Sequence, residues 1–314
     1  METFKAPFKG RSLLNWIDWT PSEIETLLDL SLQVKAEAHR GEVHQRFLGK
    51  TIALVFEKRS TRTRSSFETA FGEEGGHPVF MSTEDIQLGG KESVKDTARV
   101  LGRMFNAIEF RGYRQEHVEQ LAEFSGVPVI NGLTDEFHPT QALADIMTLK
   151  ENFEELKGLH LAYCGDGRNN VARSLMLICA KMGIHFSIFS PKELFPDEGI
   201  SEICRPFAEK SGAKIQISDK MDVVEGADAL YTDVWVSMGE EALKERRIGL
   251  LSPYQINGAL MQATGKSGTI FMHCLPAVKG QEVTEDVFES TASRVWDEAE
   301  NRKHTIKAIM LGLL

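Results

Sequence analysis

Apolar positions first recur along this chain at helical spacing. After Thr20-Pro21-Ser22-Glu23, residues Ile24, Leu27, Leu28 and Leu32 fall on one stripe. The opening predicts a capped helix, with Thr at the N-cap, Pro at the first helical position and Glu three residues past the cap. From residue 50 the rhythm changes, and short apolar or β-branched runs alternate with longer helical patterns. The runs predict strands at 51–56, 78–81, 107–110 and 127–131. A long helical pattern over 139–153 follows, and the alternation then resumes with strands at 159–164, 185–189, 214–217, 229–233 and 269–273. Strands alternating with helices wind parallel sheets through right-handed crossovers. The expected fold class is therefore α/β, with two doubly wound parallel-sheet domains joined by bridging helices. The first domain is expected over residues 1–147 and the second over 148–297, with a last amphipathic helix, 298–314, packing back on the first.

Composition narrows the class. A chain of 314 residues is long for one core and ample for two domains of about 150 residues each. Hydrophobic residues make up 42% and charged residues 26%, which fits a globular protein and not a disordered one. No apolar run approaches a membrane span, and Met1-Glu2-Thr3-Phe4-Lys5 offers no signal core, so a soluble, cytoplasmic protein is expected. The net charge of −10 disfavours nucleic acid and anionic lipid as partners. Cys164, Cys179, Cys204 and Cys274 form no C-x-x-C pair, which argues against a structural zinc and for a reducing compartment. No metal site and no cofactor are expected. Against this acidic background the basic run at 58–64 stands out.

In open α/β sheets ligands bind beyond the C-terminal ends of the strands, so the residues that follow each strand are the candidates. The first strand runs into Lys58-Arg59-Ser60-Thr61-Arg62-Thr63-Arg64 at the start of a helix. Free N–H groups and the helix dipole bind anions there, and an arginine can grip phosphate in two-pronged fashion. A capped helix with solvated basic residues is the plain alternative. The run is not a glycine-rich phosphate loop, so ATP is not implied. The third strand ends in Phe110-Arg111-Gly112-Tyr113, and the fourth leads to His138-Pro139-Thr140-Gln141. An imidazole and an amide at a helix start could polarise a carbonyl oxygen or merely cap the helix. In the second half, Gly165-Asp166-Gly167-Arg168-Asn169-Asn170 suggests a dinucleotide turn but lacks its third glycine. Asn170, or less readily Asn169, could hold a carboxylate there. Asp233-Val234-Trp235-Val236-Ser237-Met238-Gly239 places a carboxylate and a hydroxyl where an ammonium group could sit. Cys274, in His273-Cys274-Leu275-Pro276, is a candidate reactive thiol or an inert buried one. Arg302 opens the last helix and could reach the site or stay solvated.

These motifs, in this order across nearly the whole chain, resemble the transcarbamylase family, and Ser237-Met238-Gly239 with His273-Cys274-Leu275-Pro276 resemble its ornithine branch. The resemblance implies a two-domain homotrimer with active sites at subunit boundaries. It implies that Ser60, Thr61, Arg62 and Thr63 hold the phosphate of carbamoyl phosphate. Arg111, His138 and Gln141 would bind the same substrate, the last two near its carbamoyl end. Gln87 resembles the loop that reaches a neighbouring subunit's site. Asn170, Asp233, Ser237 and Met238 would bind ornithine, and Cys274, Leu275 and Arg302 would complete the site. The implied catalytic set is Cys274, Arg111, His138 and Asp233. The implied reaction is attack of the ornithine δ-amine on the carbonyl carbon, giving citrulline and phosphate. Competing expectations are a transcarbamylase for putrescine, aspartate or an acylated ornithine, a nucleotide-binding oxidoreductase, and a non-catalytic scaffold.

Overall fold

The computed structural model describes residues 5–86, 92–236 and 241–314. The chain divides into two compact units, one formed by Met1–Met147 with Glu300–Leu314 and the other by Thr148–Ala299.

The first unit begins with α1 (Pro21–His39). Its capping box is complete: the Glu23 amide donates to Thr20 Oγ1 at 3.3 Å and the Thr20 amide to Glu23 Oε2 at 2.8 Å. Four right-wound repeats follow, β1 (Thr51–Phe56), α2 (Thr61–Glu73), β2 (His77–Ser82), α3 (Val94–Met104), β3 (Ala107–Arg111), α4 (Gln115–Ser125) and β4 (Val129–Leu133), then α5 (Pro139–Asn152). All four strands are parallel in the order β2-β1-β3-β4. The chain thus steps outward from β1 to β2 and then back across to β3. That reversal opens a crevice beyond the C-terminal ends of β1 and β3, where a doubly wound sheet takes its ligand.

The second unit repeats the plan with β5 (His160–Cys164), α6 (Asn170–Met182), β6 (His185–Phe189), α7 (Glu198–Ser211), β7 (Ile215–Ser218), β8 (Ala229–Thr232), α8 (Lys244–Leu251), α9 (Gly258–Ala263), β9 (Ile270–His273) and α10 (Glu285–Phe288). Its five parallel strands run β7-β6-β5-β8-β9, so here the reversal falls between β5 and β8. Helix α11 (Val295–Leu313) starts three residues before the expected 298, and its part from Glu300 onward belongs to the first unit. Lys303 and Lys307 pair with Glu73, and the Lys50 ammonium caps the helix end at the Leu314 carbonyl. The fourth strand begins at Val129 instead of 127, because Pro128 has no amide to place in the ladder and only its carbonyl serves, accepting from Ile108.

The inner strands are buried on both faces, as their nearly unbroken apolar runs require, whereas the edge strands β2 and β7 are mostly half-buried. One buried ionisable group tells on stability. His304 is 1% exposed, and burial pulls its pKa down to about 4, against a hydrogen bond to Glu300 that works the other way. The unfolded chain takes up that proton below about pH 6.5 while the folded one resists it. Stability is expected to fall as pH drops from about 6.5 to 4, by up to roughly 3 kcal/mol from this residue. Denaturant titrations across that window should show a shallower fall for His304→Gln.

Candidate functional site

In the first unit the site residues gather at the β1/β3 reversal. Ser60 is the N-cap of α2, and its hydroxyl accepts the Thr63 amide at 3.2 Å. The amides of Thr61 and Arg62 then occupy the first two helical positions, which have no intrahelical acceptor. Thr61 is exposed, Arg62 half-buried and Thr63 buried. The Thr63 hydroxyl is a meeting point for two guanidinium groups, Arg111 Nη1 at 3.3 Å and Arg302 Nη2 at 3.2 Å. Arg302 is 2% exposed, so the alternative of a solvated arginine does not hold. It also donates to Gln141 Oε1 at 2.5 Å, and Gln141 Nε2 in turn donates to Asp145 at 2.8 Å. The Gln141 amide thus links Arg302 to Asp145.

His138 lies buried beside this cluster, with Nδ1 3.4 Å from the Thr140 hydroxyl. Burial, and then the charges of Arg302, Arg111 and Arg62, hold its pKa well below the ordinary histidine value. The ring is neutral near pH 7, and the tautomer that accepts from Thr140 carries its proton on Nε2. Three cations thus surround one neutral donor. Arg62, Arg111 and His138, on three separate elements, come together as the motifs imply, and Arg302 joins them from α11. Gln87 lies outside the described residues.

In the second unit the β5/β8 reversal holds a different set. Asp233, 9% exposed, stands just past β8 and accepts three hydrogen bonds: from Asn169 Nδ2 at 2.9 Å, from Cys274 Sγ at 3.0 Å and from the Val234 amide at 2.7 Å. Asn169 is also the N-cap of α6, its Oδ1 accepting the Val171 amide at 2.7 Å. The sequence reading assigned the ornithine carboxylate to Asn170, with Asn169 as the lesser alternative, and Asn169 donates to Asp233. Asn170 begins the helix and is half-buried. Adjacent asparagines cannot be told apart by spacing, and only the cap geometry separates them. Ser237 and Met238 lie outside the described residues.

The Cys274 thiol is half-buried, whereas Cys164, Cys179 and Cys204 are buried, and none of the four forms a disulfide. Burial pushes the Cys164 thiol far up and Cys204 up to about 12, so those two are unreactive. Cys274 and Leu275 sit with Asp233 in the second unit. Their loop is anchored from below. The His273 amide donates to Glu298 Oε2 at 2.9 Å, the Leu275 amide donates to His273 Nδ1 at 2.8 Å, and His273 Nε2 meets Glu282 at 3.3 Å. Leu275 is held at φ 58°, a left-handed conformation that costs an ordinary residue about 1–2 kcal/mol and persists where the surroundings demand it. Asp233, His273 and Cys274 have donor atoms close enough to share an ion. Both nitrogens of His273 are already engaged in positioning the loop, so the set does not fit one.

Gly167 has a packing explanation. A Cβ there would stand 2.9 Å from the Leu194 carbonyl oxygen and 2.9 Å from the Ile188 side chain. Asp166 is committed to Arg168 and Arg247. The turn after β5 is thus shaped by helix–strand packing, and nothing in it calls for a dinucleotide.

Comparison with known proteins places both halves. Residues 11–151 match the family described as aspartate/ornithine carbamoyltransferase, carbamoyl-P binding domain, and residues 157–313 match aspartate/ornithine carbamoyltransferase, Asp/Orn binding domain. The chain is similar to the ornithine carbamoyltransferase of Caldanaerobacter subterraneus subsp. tengcongensis, with 63% identity over 307 residues and 98% of each chain covered. It is as similar, 63% over 306 residues, to that of Pseudothermotoga lettingae, covering 97% of this chain and 98% of the relative. Among solved structures, the ornithine carbamoyltransferase from Pyrococcus furiosus superposes with a TM-score of 0.94 at 44% identity, covering 97% of both chains.

Proposed function

The chain belongs to the aspartate/ornithine carbamoyltransferase family, and we propose that it moves a carbamoyl group from carbamoyl phosphate to the δ-amine of L-ornithine, through the two residue sets described above. The observation that carries the assignment of residues is the convergence of Arg62, Arg111 and Arg302 on Thr63 and His138, a site built for a doubly charged oxyanion. The first turn of α2 receives the phosphate through its backbone amides and the hydroxyls of Ser60, Thr61 and Thr63. Arg62 and Arg111 neutralise it and so ease its departure. Neutral His138 donates through Nε2 to the carbonyl oxygen as that oxygen gains charge. Arg302, fixed by Gln141 and Asp145, backs the arginine pair.

Ornithine is read by the second set. In this reading Asp233 and Ser237 take the amino-acid ammonium, Asn170 with Asn169 holds its carboxylate, and Met238 is assigned to the same substrate by the family resemblance. The δ-amine must shed a proton before it attacks, since an alkylammonium with pKa of about 10.4 is no nucleophile. Cys274, whose thiol donates to Asp233, is placed to take that proton while passing its own to the Asp233 carboxylate, with Leu275 completing the loop. Attack forms the C–N bond, the tetrahedral oxyanion collapses, and the C–O bond to phosphate breaks. Bringing both substrates into register supplies about 7–11 kcal/mol of the barrier without any metal or organic cofactor, because the carbamoyl donor is already activated.

The proposal extends to a cytoplasmic homotrimer in which Gln87 serves a neighbouring subunit's site. Four cysteines outside any disulfide support a reducing setting, and no helix among the described residues is long and apolar enough to cross a membrane. Sedimentation at three times the chain mass is the expected result. The acceptor is tested by citrulline-type ureido formation with ornithine, putrescine, aspartate and N-acetylornithine side by side. Ornithine is expected to win by at least about 10³-fold in kcat/KM, since a site built to pair charged groups rejects acceptors that leave those groups unpaired. A faster reaction with any of the other three would overturn the acceptor assignment.

A further inference from the structure

Glu109 is wholly buried in the middle of β3, and neither of its carboxyl oxygens meets a hydrogen-bond partner. Its backbone is flanked by Leu54 of β1 and Ile130 of β4. Its tip lies against the backbone of Gly132, where a Cβ would stand 1.9 Å from Oε1. Gly132 therefore makes room for this side chain just ahead of the segment that carries Thr134 and His138. Arg111 comes two residues after Glu109 on the same strand face. A buried, unpaired carboxylate costs several kcal/mol, whereas the neutral acid costs far less.

We propose that Glu109 is a proton-linked positioning residue for the carbamoyl phosphate site: as an uncharged acid it leaves the charge of Arg111 and Arg302 to the substrate phosphate, and as a carboxylate it draws that charge inward. The inference rests on the reading that this site takes carbamoyl phosphate. The charged groups that act on Glu109 are Arg111 on its own strand and Arg302 on α11, both opposing a burial effect that raises its pKa well above the usual carboxylate range. Its neighbours Leu54, Ile130 and Gly132 carry no titratable group, and His138 beside Arg302 is neutral. The sign follows. The protonated form binds the dianion better, so affinity is full at low pH and is lost as pH rises through the Glu109 pKa. Bound phosphate raises that pKa further.

The test compares wild type with Glu109→Gln, which keeps shape without charge, and with Glu109→Met in case the amide disturbs folding. KM for carbamoyl phosphate is measured from mildly acidic to alkaline pH. In the wild type it should climb with pH, toward about tenfold per pH unit above the Glu109 pKa, the slope of one proton. In either variant it should stay within about twofold of its neutral value relative to that climb, with kcat unchanged. Infrared difference spectra of the wild type with and without inorganic phosphate should show a shift in a protonated-carboxyl C=O band that both variants lack. Parallel KM profiles in wild type and variants, or a band unchanged by phosphate, overturn the proposal. A wild type that does not turn over carbamoyl phosphate would instead remove the functional reading beneath it.

Discussion

Replacing Arg62 with Ala is expected to lower kcat/KM for carbamoyl phosphate by about 10²–10³-fold, the usual cost of losing one preorganised donor to a developing oxyanion. Arg62 occupies the second position of α2, half-buried, with its charge felt at His138. It contributes no apolar surface to the core around β1 and β3, so the melting temperature should move little. Arg302 makes a useful contrast. Its removal would strand Thr63, Gln141 and Thr140 in a buried place, so loss of activity there would be mixed with loss of stability. Arg62→Ala separates the two. Steady-state kinetics with carbamoyl phosphate varied, alongside a thermal melt, is the check. A kcat/KM within threefold of wild type would remove Arg62 from the phosphate site.

Asp233→Asn should cost about 10²–10³-fold in kcat/KM for ornithine while leaving KM for carbamoyl phosphate nearly unchanged. The argument runs through hydrogen-bond direction. Asp233 accepts at both oxygens, from Cys274 and Val234 on one side and from Asn169 on the other. An Asn that keeps its carbonyl toward Cys274 must turn its NH2 group toward the NH2 group of Asn169. Asn169 cannot flip to relieve that clash, because its own Oδ1 caps α6 at Val171. The substitution therefore leaves two facing donors and also removes the negative charge that an ammonium needs. Together these account for roughly 3–4 kcal/mol, by the cost of charge-assisted hydrogen bonds lost in a buried setting. Saturation curves with ornithine varied decide it, and an unchanged KM and kcat for ornithine would show Asp233 to be structural.

The sequence by itself determined most of what depends on local rhythm. Short apolar runs alternating with period-3.6 patterns located the nine strands among the described residues to within two residues, because buried parallel strands are largely apolar and their covering helices must be striped. The capping box at Thr20 and the hydroxyl and cation run at 60–64 were legible for the same reason, since a helix start needs particular side chains at particular offsets. Motif order was enough for the family and its chemistry. What the sequence could not decide were questions of which neighbour a side chain meets. Strand order in each sheet, and with it the reversal that opens a crevice at β1/β3 and another at β5/β8, comes from long-range pairing. The contact of Asn169 with Asp233, the burial of Arg302 and the engagement of Gln141 with it depend on angles that one residue of spacing cannot resolve. Glu109 left a trace in the sequence, a lone carboxylate in the apolar run Ala107-Ile108-Glu109-Phe110. Only packing on both faces of β3 reveals that its charge has nowhere to go. Periodicity reports how much of a residue is buried, while polarity inside a protein is settled by partners that arrive from elsewhere in the chain.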